Sequence, residues 1–231
     1  MNKIAIIVPA YNPSEKLIKL VDEIIDRVSN TVIIINDGSK AKYNYIFEEV
    51  KTKVNLIKNN KNMGKGYSLK KGMKFLTESG EDNLIGIITV DADGQHCIKD
   101  IESISKKLEE NYIEHKEKVI LGKRNFKKSN VPIKNRLGNK IASTIFKKRK
   151  GILIQDTQTG LRGIPFKYLE EFIKLSGDRY EYEQNMLGYI VKNDIAFEEI
   201  EIETIYNKNK SKFNTIIDSY KIIKSILKRI K

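Results

Sequence analysis

The first 125 residues alternate between short apolar runs and stretches that carry apolar residues at helical spacing. Ile4 to Val8 and Val32 to Ile35 are strand-sized runs, and the apolar residues of Ser14 to Val28 fall on one helix face. Strands that are apolar on both faces and alternate with helices form a mainly parallel sheet with helices on both sides. The pattern therefore predicts an α/β fold with a Rossmann-like sheet.

The alternation changes after residue 125. Before that point it predicts helices at 43–50, 67–76 and 98–108 and strands at 54–57, 84–90 and 119–121. After it we expect a basic loop, a helix at 137–146, a loop at 151–162, two helical stretches and a strand at 195–205. Ser14 is the predicted N-cap of the first helix. No repeat and no linker rich in Pro, Gly or Ser divides the chain, so we predict one domain.

The charge is concentrated in two segments. The net formal charge is +13 over 231 residues; residues 116–150 contribute +12 and residues 207–231 contribute +7, so the remainder is mildly acidic. Such blocks favour anionic partners at particular surfaces over a uniform nucleic-acid coat. The single cysteine, Cys97, excludes an intrachain disulfide. We expect a cytoplasmic protein, since no apolar run approaches the ~20 residues that span a bilayer.

Polar clusters follow four of the predicted strands, at 9–12, 36–39, 91–96 and 122–124. Ligands of open parallel sheets bind at the carboxyl ends of the strands, so these clusters are the first candidates for chemistry. Asp37 alone is typical of a turn. Asp91 and Asp93, with one residue between them, suit a divalent cation, and a structural turn remains the alternative.

Six motifs occur in an order that carries a family resemblance. They are Val8-Pro9-Ala10-Tyr11-Asn12, Asn36-Asp37-Gly38-Ser39, Asn62-Met63-Gly64-Lys65-Gly66, Val90-Asp91-Ala92-Asp93-Gly94-Gln95-His96, the stretch from Gln155 to Arg162, and Tyr180-Glu181-Tyr182-Glu183. From Ile4 to about Lys212 the chain resembles family 2 glycosyltransferases of the GT-A fold, especially catalytic domains of the dolichol-phosphate mannosyltransferase type. The resemblance implies a nucleotide-sugar-binding half at 1–125 and an acceptor half at 126–212.

The resemblance assigns several residues to the donor. Asp37 would hydrogen-bond the base, and Lys65 would offset diphosphate charge. As an alternative, Gly64 and Gly66 simply end a loop before a helix. The residues implied to bind the nucleotide sugar are Pro9, Tyr11, Asn12, Asp37, Gly64, Lys65, Gly66 and Asp91.

Asp91 and Asp93 match the DxD motif of the family. The resemblance implies that Asp91 contacts the sugar nucleotide and that Asp93 binds Mg2+ or Mn2+ through the diphosphate. A cation there stabilises the departing nucleoside diphosphate. His96 either supports this loop or is a surface histidine.

Four further residues resemble the acceptor side of the family. Arg162 is implied to recognise a phosphate or a sugar hydroxyl, and an ion pair with Asp156 is the alternative. Glu181 and Glu183 are implied as general base, with Glu183 fitting the family position better. An ionised phosphate acceptor needs no base, and carboxylates in a first helical turn are favoured by the helix dipole in any protein.

Residues 213–231 carry apolar residues at helical spacing with lysines between them. Such a helix suits an anionic membrane surface, where it would make a peripheral contact with the inner membrane face. Packing on the protein body is the alternative.

Taken together, these features predict a metal-dependent inverting glycosyltransferase. The donor would be a UDP- or GDP-sugar, and the acceptor a polyprenyl phosphate or a glycan. The alternatives are a sugar-nucleotide nucleotidyltransferase and a non-enzymatic protein that binds anionic membranes or nucleic acid, although no nucleic-acid motif is present. The sequence leaves the donor sugar, the linkage and the oligomeric state open.

Overall fold

A computed structural model describes residues 3–29, 31–80, 82–126, 139–140, 143–144, 147 and 151–203. Most of the helix predicted at 137–146 and all of the helix predicted at 213–231 lie outside these residues. Within the described residues, no helix combines the length and the apolar character needed to cross a membrane.

In the described part of the chain, seven strands form one sheet. They are β1 (Lys3–Ala10), β2 (Val32–Asn36), β3 (Asn55–Lys58), β4 (Leu84–Thr89), β5 (Val119–Arg124), β6 (Arg162–Pro165) and β7 (Phe197–Ile202). Their order across the sheet is β3-β2-β1-β4-β6-β5-β7. All neighbours pair in parallel except β6, which is antiparallel to both β4 and β5.

Helices cover both faces of the sheet. They are α1 (Lys16–Arg27), α2 (Asn44–Val50), α3 (Lys65–Glu78), α4 (Ile98–Ile113), α5 (Leu169–Ile173) and α6 (Glu181–Lys192). Helices α3, α5 and α6 pack on one face, where Ile7 and Ile33 belong to the core. Helices α1, α2 and α4 pack on the other, where Ile6 and Ile34 belong to the core. Because successive strand residues point to opposite faces, both faces of β1 and β2 are buried. The predicted α/β class is confirmed.

Three local expectations differ from the structure. Arg162, the last residue of the loop predicted at 151–162, begins the antiparallel strand β6, which the sequence did not predict. Lys123 and Arg124 lie within β5 and not in a turn after it. The N-cap position of α1 belongs to Glu15, which makes no side-chain capping hydrogen bond, so Ser14 does not cap this helix.

Candidate active site

The polar clusters after β1, β2 and β4 lie at the same edge of the sheet. β1 pairs in parallel with β2, with Ala10 opposite Asn36, and with β4, with Ile7 opposite Thr89. Parallel neighbours bring their carboxyl ends together. The site predicted from the sequence is therefore one edge of one sheet.

Asn12 joins the loops that follow β1 and β2. Its backbone N–H donates to Ser39 Oγ at 2.9 Å, and its Oδ1 accepts from the backbone N–H of Lys40 at 2.9 Å. Its φ of 48° is left-handed, a conformation that asparagine tolerates better than most residues. Pro9 and Tyr11 are half-buried beside it. Their contact with a nucleotide remains a prediction.

Asp37 organises the loop before α3. The side chain is almost fully buried. Its Oδ1 accepts from Asn59 Nδ2 at 2.8 Å and from the backbone N–H of Met63 at 2.9 Å, and its Oδ2 accepts from the backbone N–H of Gly64 at 2.9 Å. A hydrogen bond from Asp37 to a base remains a prediction; the observed bonds hold the glycine loop in place.

Gly64 and Gly66 allow the start of α3 to approach the chain before α6. Gly64 has φ 109°, and a Cβ there would lie 2.2 Å from the carbonyl oxygen of Asp178. A Cβ on Gly66 would lie 2.4 Å from the Cβ of Tyr182. No larger residue fits at these distances. The glycines thus have a packing role, and their approach to a nucleotide stays a prediction.

Lys65, Asp91 and Glu183 form a charge cluster, and Lys65 lies at its centre. Its Nζ lies 2.6 Å from Asp91 Oδ1 and 2.9 Å from Glu183 Oε1. Burial alone would lower the pKa of Lys65, but the charges of Asp91 and Glu183 outweigh burial and raise it. Burial would raise the pKa of Asp91, whereas Lys65 and His96 hold it well below its usual range. Lys65 is therefore a cation and Asp91 an anion at neutral pH.

Asp93 lies on the exposed side of the same loop. Its Oδ1 accepts from the backbone N–H of Gln95 at 3.0 Å. Loss of hydration, together with the charge of Asp91, raises the pKa of Asp93. His96 is buried, with Nε2 3.4 Å from Asp91 Oδ2. The structure thus favours the supporting position for His96 over a surface histidine.

The donor set at Asp91 and Asp93 fits a hard divalent cation held jointly with a substrate. Carboxylate oxygens are the ligands that Mg2+ and Mn2+ prefer, and a cation would relieve the repulsion that raises the pKa of Asp93. Among the described residues, no three His, Cys, Asp or Glu side chains gather into a metal site. Six-coordinate Mg2+ would need its other ligands from phosphate and water, as is usual for this ion.

The two glutamates of α6 have different surroundings. Glu181 Oε1 accepts from the backbone N–H groups of Asp178 and Arg179 at 3.2 and 3.3 Å, so it fixes the chain just before α6. Glu183 is buried and faces Lys65. Of the two glutamates, only Glu183 therefore belongs to the charge cluster. A role as general base stays a prediction for both.

The alternative of an ion pair between Asp156 and Arg162 is wrong, since the two side chains do not pair. Asp156 instead pairs with Arg124, whose Nε and Nη2 donate to its two carboxylate oxygens at 2.6 and 2.9 Å. Arg162 is 1% exposed and donates from Nη1 to the carbonyl of Glu183 and from Nε to the carbonyl of Thr159. These bonds tie Arg162 to the start of α6. Phosphate recognition by Arg162 stays a prediction.

Gly160 allows the loop before β6 to lie close to Asp91 and Lys65. A Cβ at this position would lie 2.5 Å from Asp91 Oδ2 and 2.7 Å from Lys65 Nζ. Thr89 Oγ1 donates to the carbonyl of Gly160 at 2.7 Å and fixes this approach. The two halves of the chain therefore meet at the Asp91–Lys65 pair.

An open α/β sheet with paired carboxylates and a lysine at its carboxyl edge is the type of site at which α/β enzymes bind their ligands. The family profile of glycosyl transferase family 2 matches residues 5–173, and the chain belongs to this family. It is a glycosyltransferase, which decides against the nucleotidyltransferase reading.

Two named relatives illustrate the range of similarity. A UDP-N-acetylglucosamine–dolichyl-phosphate N-acetylglucosaminyltransferase of Methanococcus voltae is 29% identical over 248 residues, which cover 97% of this chain and 94% of that protein. A dolichyl-phosphate beta-glucosyltransferase of Dictyostelium discoideum is 35% identical over 126 residues, which cover 47% of this chain and 37% of that protein.

Solved structures share the fold. Glucosyl-3-phosphoglycerate synthase from Mycobacterium tuberculosis, in complex with Mn2+, UDP and glucosyl-3-phosphoglycerate, superposes with a TM-score of 0.72 at 12% identity. The match covers 99% of this chain and 80% of that chain. At this identity the similarity shows the GT-A fold alone, which confirms the expected fold family.

Sequence reasoning missed several side chains that build the site. Asn139, Gln184 and Glu199 all bond to the backbone of residues 155–157. They lie outside the six motifs, and no local pattern marks them. Arg124 was noted only as part of a basic cluster, and its pairing with Asp156 depends on the antiparallel placement of β6.

Replacing Gly160 with alanine tests whether its backbone lies as close to Asp91 and Lys65 as the structure shows. Because the new Cβ would overlap Asp91 and Lys65, we expect Gly160→Ala to displace the ion pair and to lower kcat/KM by at least ~100-fold, the scale of a 1 Å misplacement. Steady-state kinetics and thermal unfolding measure both effects.

Gly188→Ala is the matched control, since no described atom lies within 4 Å of a Cβ on this helical glycine. It should keep activity and gain roughly 0.5–1 kcal/mol of stability. Unchanged activity in Gly160→Ala would contradict the close approach.

Proposed function

We propose that this protein transfers a sugar from a UDP-sugar to a polyprenyl phosphate of the dolichyl type, with inversion at the anomeric carbon and with Mg2+ or Mn2+. The observation that carries the proposal is the position of Lys65 between Asp91 and Glu183, beside the exposed carboxylate of Asp93. With a donor bound, the ammonium of Lys65 and the exposed carboxylate of Asp93 would both lie near its diphosphate.

The choice of donor is supported by relatives. The name of the M. voltae relative gives UDP-N-acetylglucosamine as donor, and the mycobacterial structure holds UDP and Mn2+. In this chain the loops of Asn12 and Asp37 would border the nucleoside, because they lie at the ends of the neighbouring strands β1 and β2. GDP-sugars are the alternative that experiment must exclude.

The residues of the site would have different roles in sugar transfer. Lys65 would place a positive charge against the diphosphate, since its ammonium is held rigidly by two carboxylates. Asp93 and Asp91 would hold the cation, which when bound stabilises the charge of the departing nucleoside diphosphate. Gly160 leaves room for these groups to meet. Attack from the face opposite the leaving group gives inversion.

Two observations support a lipid-phosphate acceptor: the names of the relatives, and the contact of the buried Glu183 with Lys65. Both named relatives act on dolichyl phosphate according to their names. A phosphate acceptor is already ionised and needs no general base. Glu183 is buried in contact with Lys65, which suits a residue that orients the lysine. A glycan acceptor would instead require a base.

We further propose that the protein acts at the cytoplasmic face of a membrane. A polyprenyl phosphate is confined to a membrane, so its phosphate must be met at the lipid surface. The charges of +12 at residues 116–150 and +7 at residues 207–231 suit anionic lipids.

Nucleotide binding should depend on a divalent cation and on Asp93. UDP at 100 times its Kd stabilises a protein by about 2.7 kcal/mol, and we expect this gain in the wild type with Mn2+ and its loss in Asp93→Asn. A thermal-shift panel of UDP and GDP, with Mn2+ or with EDTA, measures it.

Asp194→Asn is the matched control, because Asp194 is exposed and lies next to the start of β7, at the opposite edge of the sheet. Equal UDP stabilisation in EDTA would contradict the metal role. Stabilisation by GDP alone would contradict the UDP donor.

Glu183→Gln separates the two acceptor classes. The amide oxygen can still accept from Lys65, so with a polyprenyl phosphate we expect kcat to fall less than ~10-fold, whereas removal of a general base costs roughly 100- to 10,000-fold. Single-turnover kinetics measure the chemical step. Glu181→Gln is the control, and a fall beyond 100-fold in Glu183→Gln alone would favour a base and a hydroxyl acceptor.

Liposome flotation tests the membrane proposal. We expect the full chain to float with vesicles that contain anionic lipid, and to float less with neutral vesicles or at high salt, because screening weakens charge attraction. A chain without residues 213–231 should float less. Equal flotation of both chains would contradict a membrane role for the C-terminal segment.

A further inference from the structure

The loop at residues 155–157 has no regular secondary structure, yet side chains from other elements bind its backbone. Glu199 Oε1 accepts from the N–H groups of Gln155 and Asp156 at 2.7 and 3.3 Å. Arg124 holds the Asp156 carboxylate with two side-chain bonds and one backbone bond. Glu199 lies on β7 and Arg124 on β5, so side chains of two strands hold this loop.

Asn139 completes this arrangement from the other side of the loop. Its Nδ2 donates to the carbonyl of Gln155 at 2.5 Å, and its Oδ1 accepts from the backbone N–H of Thr157 at 2.8 Å and from Thr157 Oγ1 at 3.0 Å. The side chain is buried, with 5% of the residue exposed. A carboxamide has one donor group and one acceptor group side by side, so it pairs with residues 155 and 157 as a neighbouring strand would.

The loop leads directly to the charge cluster. Three residues after Thr157, Gly160 lies in contact distance of Asp91 and Lys65. Gln184 Nε2 donates to the carbonyl of Thr157 at 2.5 Å and connects the loop to α6, next to Glu183. A displacement at Thr157 would therefore move groups on both sides of Lys65.

We propose that Asn139 is a positioning residue for sugar transfer, which holds residues 155–157 so that Gly160 stays against the Asp91–Lys65 pair. It acts through the loop and does not touch substrate. Asn139 belongs to the basic stretch of sequence assigned to the acceptor half, so the hydrogen bonds link that stretch to the donor site. The inference rests on the proposed function, because the effect is read through nucleotide binding.

The test uses the full chain and two substitutions of Asn139 that remove different hydrogen bonds. Asn139→Ala removes all three hydrogen bonds, whereas Asn139→Asp keeps the acceptor for Thr157 and loses the donor to Gln155. We expect Asn139→Ala to raise amide hydrogen exchange in the peptide 153–161 and to weaken the binding of UDP with Mn2+ by ~10-fold, the lower range for residues that orient metal ligands. Asn139→Asp should be at least as severe as Asn139→Ala, because it sets a buried carboxylate oxygen against the carbonyl oxygen of Gln155.

Asn111→Ala is the matched control, since Asn111 is equally buried on α4 and its Nδ2 has no hydrogen-bond partner among the described residues. It should change the melting temperature without changing exchange in 153–161 or nucleotide affinity. The proposal is overturned if Asn139→Ala lowers the melting temperature but leaves both the exchange of 153–161 and the nucleotide affinity unchanged. If wild type binds no UDP, the proposed donor fails, and the exchange of 153–161 still decides the role of Asn139.

Discussion

The ion pairs of Lys65 with Asp91 and Glu183 are the constraint on which the site depends. Three elements meet there: the first residue of α3, the end of β4 and the first turn of α6. The three side chains are largely withdrawn from solvent, so each charge depends on its partners for compensation. The elements are therefore held in one arrangement before any substrate binds, and preorganised charge of this kind stabilises a transition state without further rearrangement.

Polar side chains, rather than regular structure, hold the loops around this cluster. Asp37 accepts three hydrogen bonds that shape the glycine loop, and Arg162 ties the carbonyls of Thr159 and Glu183 together beneath the site. Satisfied buried polar groups restrict a loop as effectively as a strand does. The edge of the sheet can thus be irregular and still be held in one arrangement, which suits a glycosyltransferase that must hold a donor and an acceptor together.

The sequence predicted the parallel strands well, because Ile- and Val-rich runs between amphipathic helices leave few alternatives. It also predicted that Asp37, Asp91 and Asp93 would share one edge, since parallel strands bring their carboxyl ends together. It did not predict β6. Arg162, Gly163 and Pro165 are poor strand formers, and this strand exists because β4 and β5 offer hydrogen bonds on both sides.

The sequence by itself determined the fold class, the edge of the sheet where the polar clusters meet and the carboxylates available there, because these follow from local periodicity and from the order of strands. Only the tertiary structure decided which charges pair. Asp156 joins Arg124 rather than Arg162, and Glu183 rather than Glu181 joins Lys65. Ion pairing depends on distances between residues 30 to 120 positions apart, and these distances exist only once the antiparallel strand and α6 have packed against the sheet.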